Sequence, residues 1–160
     1  MDIPLIEQVK IQARMLVPLV KALRAELGEE RANALVRKTL GDVYPKLGRD
    51  WWQQLGSSSP AEKMDGVWQA FSSGDALDYE VVRKTADAYE VDVTGCRYAK
   101  FFKGIGEPEL GFLLVCSQDF ALGEGFGPGI QLTRTQTIMQ GASHCDFRYR
   151  LKQEKEARQK

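Results

Sequence analysis

The chain has 160 residues and a mass of 18.0 kDa, enough for one compact domain and short for two. Its 43% hydrophobic and 28% charged residues exclude disordered, collagen-like and coiled-coil classes. Lys+Arg and Asp+Glu are both 22, and without a basic excess no nucleic-acid partner is expected.

Helical signals fill the first half. Leu5, Val9, Leu16, Leu19 and Leu23 recur at helical steps, with Gln12 interrupting the stripe. Pro18 is expected to kink or break this helix near Val17, and Gly28 to stop it. A second run carries Leu35, Val36, Leu40, Val43, Leu47, Trp51 and Leu55, interrupted by Pro45 and ended by Gly56. Ser59-Pro60-Ala61-Glu62 is a start signal. Ser59 can cap, Pro60 suits the first helical position, and Glu62 can close a capping box. A third helix then carries Met64, Val67, Trp68 and Phe71.

The period changes near residue 77. Residues 77–82 and 89–93 alternate apolar and polar, which is strand character, with a turn at 85–88. A short helix is expected from Cys96 to Phe102, and another from Pro108 through Cys116 to Phe120. The glycines between Gly123 and Gly129 read as a loop, and 130–138 and 145–151 as two more strands. The sum is an α+β fold, a helical N-terminal half (1–75) packed on a small antiparallel β-sheet within 76–152. Residues 153–160 form a charged tail.

No apolar run approaches the ~20 residues of a membrane span, so no membrane partner is expected. Met1-Asp2-Ile3-Pro4 lacks the pattern of a secretory signal. The three cysteines are an odd number and all follow residue 95, which argues for free thiols in a reducing, cytoplasmic setting. The second half also holds the only histidine. Cys116 and Asp119 would share a face of a helix. His144 and Cys145, adjacent on a strand, would point to opposite faces. Cys96, Cys116, His144 and Cys145 are zinc-type ligands, but there is no Cys-x-x-Cys knuckle, so no metal or other cofactor is expected. The glycine-rich stretch precedes a strand instead of opening a helix, so it does not read as a dinucleotide fingerprint.

Residues 94–102, Gly106-Glu107-Pro108-Glu109-Leu110-Gly111, Cys116-Ser117-Gln118-Asp119 and the run from Arg134 to Tyr149 resemble the L-2-amino-thiazoline-4-carboxylic acid hydrolase family. The motif-bearing match covers about residues 91–150. Gly141-x-x-x-Cys145-x-Phe147 is also similar to the end of 4-vinyl-reductase type small-molecule-binding domains. The first resemblance implies hydrolytic opening of a small cyclic amidine, L-2-amino-thiazoline-4-carboxylate giving N-carbamoyl-L-cysteine. The second implies a non-catalytic binding module.

The implied chemistry has three needs: an anion for the amidinium, a nucleophile for its carbon, and a cation for the carboxylate. Asp119 can pair with the amidine nitrogens, and Arg134 can hold the carboxylate bidentately. Cys116 or Cys145 can attack, with His144 as base and later acid. If neither thiol attacks, water assisted by Asp119 and His144 remains. Thr137 can donate to developing negative charge. The expected partner is a small-molecule substrate, with a homo-oligomer possible.

Overall fold

The computed structural model describes residues 3–56 and 58–152; the charged tail expected over 153–160 lies outside them. Three helices lead: α1 (Leu5–Leu27), α2 (Glu29–Gln54) and α3 (Pro60–Phe71). Strands β1 (Leu77–Lys84) and β2 (Ala88–Cys96) follow, then helices α4 (Arg97–Gly104) and α5 (Pro108–Leu114). A 3₁₀ turn at Cys116–Gln118 leads into α6 (Asp119–Gly125). Strand β3 (Ile130–Thr133), a 3₁₀ turn at Ile138–Gln140 and strand β4 (Cys145–Leu151) complete the order. The four strands form one antiparallel sheet, β1-β2-β4-β3. The fold is α+β as the sequence predicts.

The joint between α1 and α2 is a single residue, Gly28, at φ 82°, a left-handed setting that glycine takes without a Cβ penalty. Its N–H donates to the Arg24 carbonyl and its carbonyl accepts from Ala32 N–H. The capping box at α3 forms as read: Ser59 Oγ accepts from Glu62 N–H, and Ser59 N–H donates to the Glu62 carboxylate at 2.9 Å.

Neither proline breaks its helix; α1 runs through Pro18 and α2 through Pro45. Pro18 and Arg14, whose carbonyl the ring frees, lie on the exposed side of α1, where water can satisfy that carbonyl. At Pro45 the residue four back is Gly41. The buried faces also differ from the expected stripes. On α1 the core side is Ile6, Ala13, Val17 and Val20, and Leu19 is exposed. On α2, Ala32, Val36, Leu40, Tyr44 and Gly48 turn inward at four-residue steps, Leu35 and Val43 face out, and Leu47 is half-exposed.

That inward face explains a second correction. Gly123–Gly125 belong to α6 and not to a loop. A Cβ on Gly125 would strike the Pro45 carbonyl oxygen, and one on Gly48 the Leu122 carbonyl oxygen. These two glycines let the α2 and α6 backbones touch, a contact that loop-like composition conceals.

Two further elements stop early. The helix from Pro108 ends at Leu114, because Ser117 Oγ and Gln118 Nε2 both donate to the Leu113 carbonyl, at 2.7 and 2.9 Å, in place of a helical N–H. The strand from Ile130 ends at Thr133, because the Asp146 carboxylate accepts from the Thr135 and Gln136 N–H groups at 2.9 and 3.0 Å. Side-chain acceptors replace the ladder there.

The apolar interior falls into two clusters. One joins the inner sheet face (Val91, Val93, Cys145, Phe147, Tyr149) to α3 through Met64, Val67 and Trp68. The other joins α1 to α4 and α5 through Val17, Val20, Phe102 and Leu110. Trp51 packs edge-on against Phe71 at 5.4 Å and Trp52 stacks on Phe126 at 5.0 Å, so this tandem serves the interior.

Overpacking a close-packed site typically costs ~1–3 kcal/mol, whereas Gly→Ala in an open helix gains ~0.5–1 kcal/mol. Gly125→Ala is therefore expected to lower the urea midpoint. Gly41→Ala, with nothing within 4 Å of the added Cβ, is expected to raise it. Equal responses in the two denaturation curves would dismiss the α2–α6 contact as a constraint.

Candidate functional site

Where the two clusters meet, they leave a cavity of about 430 Å³. Helix α1 supplies Leu5, Gln8, Val9 and Gln12 to its wall, so Gln12 interrupts the apolar stripe at a place that faces the cavity. Aromatic wall comes from Tyr44, Trp51, Trp68, Phe71 and Phe147. All three cysteines line it, with Asp119, Arg134 and Thr137. Five of the six candidate residues thus surround one space: Cys116, Asp119, Arg134, Thr137 and Cys145.

His144 is the sixth and does not line the cavity. It precedes β4 by one residue, and its ring lies against Ser143 Oγ (3.0 Å) and Gln136 Nε2 (3.2 Å). Gln136 Nε2 also donates to the His144 carbonyl at 3.0 Å. These contacts fasten the segment between β3 and β4. His144 lies in the bend before β4, and Cys145 opens the strand with its side chain in the core.

Asp119 and Arg134 are bonded to each other. Arg134 Nη1 donates to Asp119 Oδ2 at 2.6 Å, and Nη2 to the Cys116 carbonyl at 2.9 Å. The Arg134 side chain is only 3% exposed and that of Asp119 20%. The guanidinium carbon lies 5.0 Å from the Phe120 ring centre and 5.1 Å from that of Phe147, a cation–π sandwich that suits a planar, weakly hydrated cation. Arg134, expected to reach for a substrate carboxylate, is committed to Asp119 and to the turn that carries it. Cys116 and Asp119 do share a side. They do so through a 3₁₀ turn, in which residues three apart eclipse.

Burial pushes the Asp119 carboxyl up to about 6, against the opposing pull of Arg134. Desolvation of the charged form outweighs the neighbouring cation here. The thiols also move up. Burial raises Cys116 well above its ordinary value, with Asp119 adding to the rise. Burial raises Cys145 to about 11, although its sulfur accepts the Ile138 N–H. Cys96, which caps α4 through the Ala99 N–H at 3.4 Å, is raised for the same reason. Thr137, 2% exposed, caps the turn at Ile138–Gln140. Its hydroxyl donates to Gln140 Oε1 at 3.0 Å and accepts Gln140 N–H at 3.2 Å, so its proton already has a partner.

Two further groups escaped the sequence reading. Tyr44 brings a phenol from α2 to the wall, its pKa raised by burial and then by Asp119. Trp68 is buried, and its indole N–H has no partner among the described residues. Only a fold that brings α2 and α3 to the Cys116–Asp119 turn reveals either. Among the described residues no group of three His, Cys, Asp or Glu side chains is placed to hold a metal ion, and no helix is long and apolar enough to cross a membrane.

The sequence profile of the L-2-amino-thiazoline-4-carboxylic acid hydrolase family matches residues 8–149. The chain belongs to that family. Among curated proteins, none matches it. A trafficking protein particle complex subunit 3 from Naegleria fowleri, solved covalently bound to palmitic acid, is similar in fold. It aligns with a TM-score of 0.53 and 14% identity over 90% of this chain and 97% of its own. An Fe(II) unliganded H-NOX protein from K. algicida aligns at a TM-score of 0.44 and 13% identity, over 89% of this chain and 74% of its own.

If Arg134 sets the Asp119 pKa, then Arg134→Leu removes both the charge and the hydrogen bond that lower it. The Asp119 carboxyl is expected to titrate above its wild-type value of about 6. Carboxyl-carbon NMR titration of the two proteins checks this, and an unchanged or lower value would sink the assignment.

Proposed function

We propose that this cavity hydrolyses a small cyclic amidine or isothiourea, with Asp119 as the acid–base group. The observation that carries the reading is a carboxyl lifted to about 6 at the wall of a largely apolar cavity, in a chain of this hydrolase family. A base poised near the operating pH transfers protons in both directions.

Water is the nucleophile in this reading. It adds to the amidine carbon while Asp119 takes its proton. The substrate enters as the amidinium; the C–S bond of the resulting tetrahedral centre then breaks, Asp119 returns the proton to the departing sulfur, and the remaining hydroxyl proton leaves for solvent as the urea carbonyl forms. With 2-amino-thiazoline-4-carboxylate the product is N-carbamoyl-cysteine. The thiolate route has less support. A nucleophilic cysteine needs a lowered pKa and an electropositive setting, and Cys116 and Cys145 are both shifted the other way. His144 lies off the cavity and takes no part. Arg134 acts as a positioning residue, fixing Asp119 Oδ2 and leaving Oδ1 for the amidine N–H. Tyr44 is the further proton donor within the wall.

A second reading is a non-catalytic small-molecule-binding module, and the apolar wall favours it. Under that reading ligands bind and leave unchanged. The palmitic acid held by the structurally similar trafficking subunit is an occupant of this apolar kind.

Mass-spectrometric turnover assays with 2-amino-thiazoline-4-carboxylate and with unsubstituted 2-amino-thiazoline separate the readings. Ring-opened carbamoyl product supports hydrolysis; binding without product supports the module. Asp119→Asn is expected to lower kcat by ~10²–10⁴-fold, the usual weight of a general acid–base group. Cys116→Ala is expected to keep most of the turnover, and its complete loss in a folded variant would restore the thiol mechanism. Because the ionised carboxylate is the base, kcat/KM should rise with pH through about 6 and then flatten. A profile flat from pH 4.5 to 7.5 would remove Asp119 from the role.

A further inference from the structure

The cavity's charge inventory constrains what it can hold. Among the described residues, Asp119 and Arg134 are the only charged ones on its wall, and they neutralise each other across 2.6 Å. Both terminal amines of Arg134 have protein acceptors, and aromatic rings lie beside its guanidinium carbon. A carboxylate entering this space would find no free cation and would have to compete with Asp119 for Arg134. Removing an unpaired carboxylate from water is strongly unfavourable.

Size points the same way. About 430 Å³ lies in the range that takes drug-sized ligands, roughly 300–1,000 Å³. A single five-membered ring with an amine and a carboxylate would fill a small part of it. The remaining wall is aromatic and aliphatic: Trp51, Trp68, Phe71, Leu77, Val93 and Leu122. Apolar wall of this kind is stabilised by contact with apolar ligand surface.

We propose that the natural substrate is a cyclic amidine or isothiourea that bears an apolar ring or branched alkyl group where the family's namesake bears a carboxylate. Its amidine N–H faces Asp119 Oδ1, and its apolar group lies against Trp51, Trp68 and Phe71. The proposal rests on the hydrolytic reading of this cavity and specifies the substrate class for it. Gln8 and Gln12 on α1 add neutral polar groups to the wall and no cation for a carboxylate.

The test is a substrate series on the full chain: 2-amino-thiazoline carrying 4-phenyl, 4-isobutyl, 4-hydrogen or 4-carboxylate. For each, kcat/KM is measured by mass spectrometry and Kd by calorimetry. The 4-phenyl compound is expected to exceed the 4-carboxylate by ~10²-fold in kcat/KM, a ratio within reach of a few buried carbons. Trp51→Ala, with folding checked by circular dichroism, is expected to shrink that ratio at least tenfold. Leu47→Ser, at a half-exposed wall position, is expected to shrink it in the same direction and is the variant to use if Trp51→Ala fails to fold. Preference for the 4-carboxylate would overturn this proposal and leave the hydrolytic reading standing. Tight binding of the 4-phenyl compound with no product would keep the apolar preference and overturn hydrolysis. Binding of none of the four would overturn both.

Discussion

The Asp119–Arg134 pair is the constraint on which the site depends. It joins the start of α6 to the chain just after β3, two segments that neither helix nor sheet hydrogen bonds connect. Removing one partner of such a buried pair is commonly worth ~3–5 kcal/mol, because it strands the other charge in an apolar medium. The raised Asp119 pKa shows that burial here exceeds what Arg134 returns. Its folded value of about 6 stands above its unfolded value near ~3.9. Stability from this group is therefore full below about pH 4 and is lost as pH rises through about 6. The fold holds a group at a stability cost where that group has chemistry to do, a pattern typical of functional sites.

The cavity around the pair follows from how the two clusters are kept apart. The sheet and α3 make one, α1 with α4 and α5 the other. Gly48 and Gly125 bring α2 against α6 by direct backbone contact, which anchors the Cys116–Asp119 turn beside α2 and so beside Tyr44. The Asp146 carboxylate draws Thr135 and Gln136 out of the sheet ladder. Arg134 then leaves the sheet and reaches Asp119, where an unbroken strand to Ile138 would have kept it paired to β4. Two local departures from regular structure therefore make the site, and both use side chains or glycines that composition alone reads differently.

Much of this was legible in the sequence, and the failures share a cause. The α+β division, the α3 capping box and the grouping of Cys116, Asp119, Arg134, Thr137 and Cys145 follow from periodicity, cap chemistry and the resemblance of the motifs. The Gly123–Gly125 stretch and the strand to Ile138 are misread because propensity rules treat a residue by its local preference. Each outcome was decided by a distant partner: the Pro45 carbonyl for Gly125, the Asp146 carboxylate for residues 135 and 136. The expected stripe on α2 holds at Val36, Leu40, Trp51 and Leu55 and fails at Leu35 and Val43, which face out while Ala32 and Gly48 turn inward. Tyr44, Trp51 and Trp68 were out of reach as site residues, since they come from helices that carry no motif.

The cysteines show how residue type and setting diverge. Three thiols on one cavity suggest thiol chemistry by inventory. Their surroundings argue the reverse: Cys96 caps α4, Cys145 accepts a backbone N–H beside the sheet, and Cys116 sits in a turn whose carbonyl is held by Arg134. The one cation that could hold a thiolate is bonded to Asp119, and Asp119 itself raises the Cys116 pKa. Ionising Cys116 would place a second anion beside the first in a low-dielectric space, which is the more costly arrangement. The Arg134 charge can stabilise one anion in this cavity, and the geometry gives it to the carboxylate. A neutral thiol is a small, polarisable wall group, compatible with an apolar ligand and poor as a nucleophile. The same pairing that silences the thiols leaves Asp119 as the group that can gain and lose a proton near neutral pH.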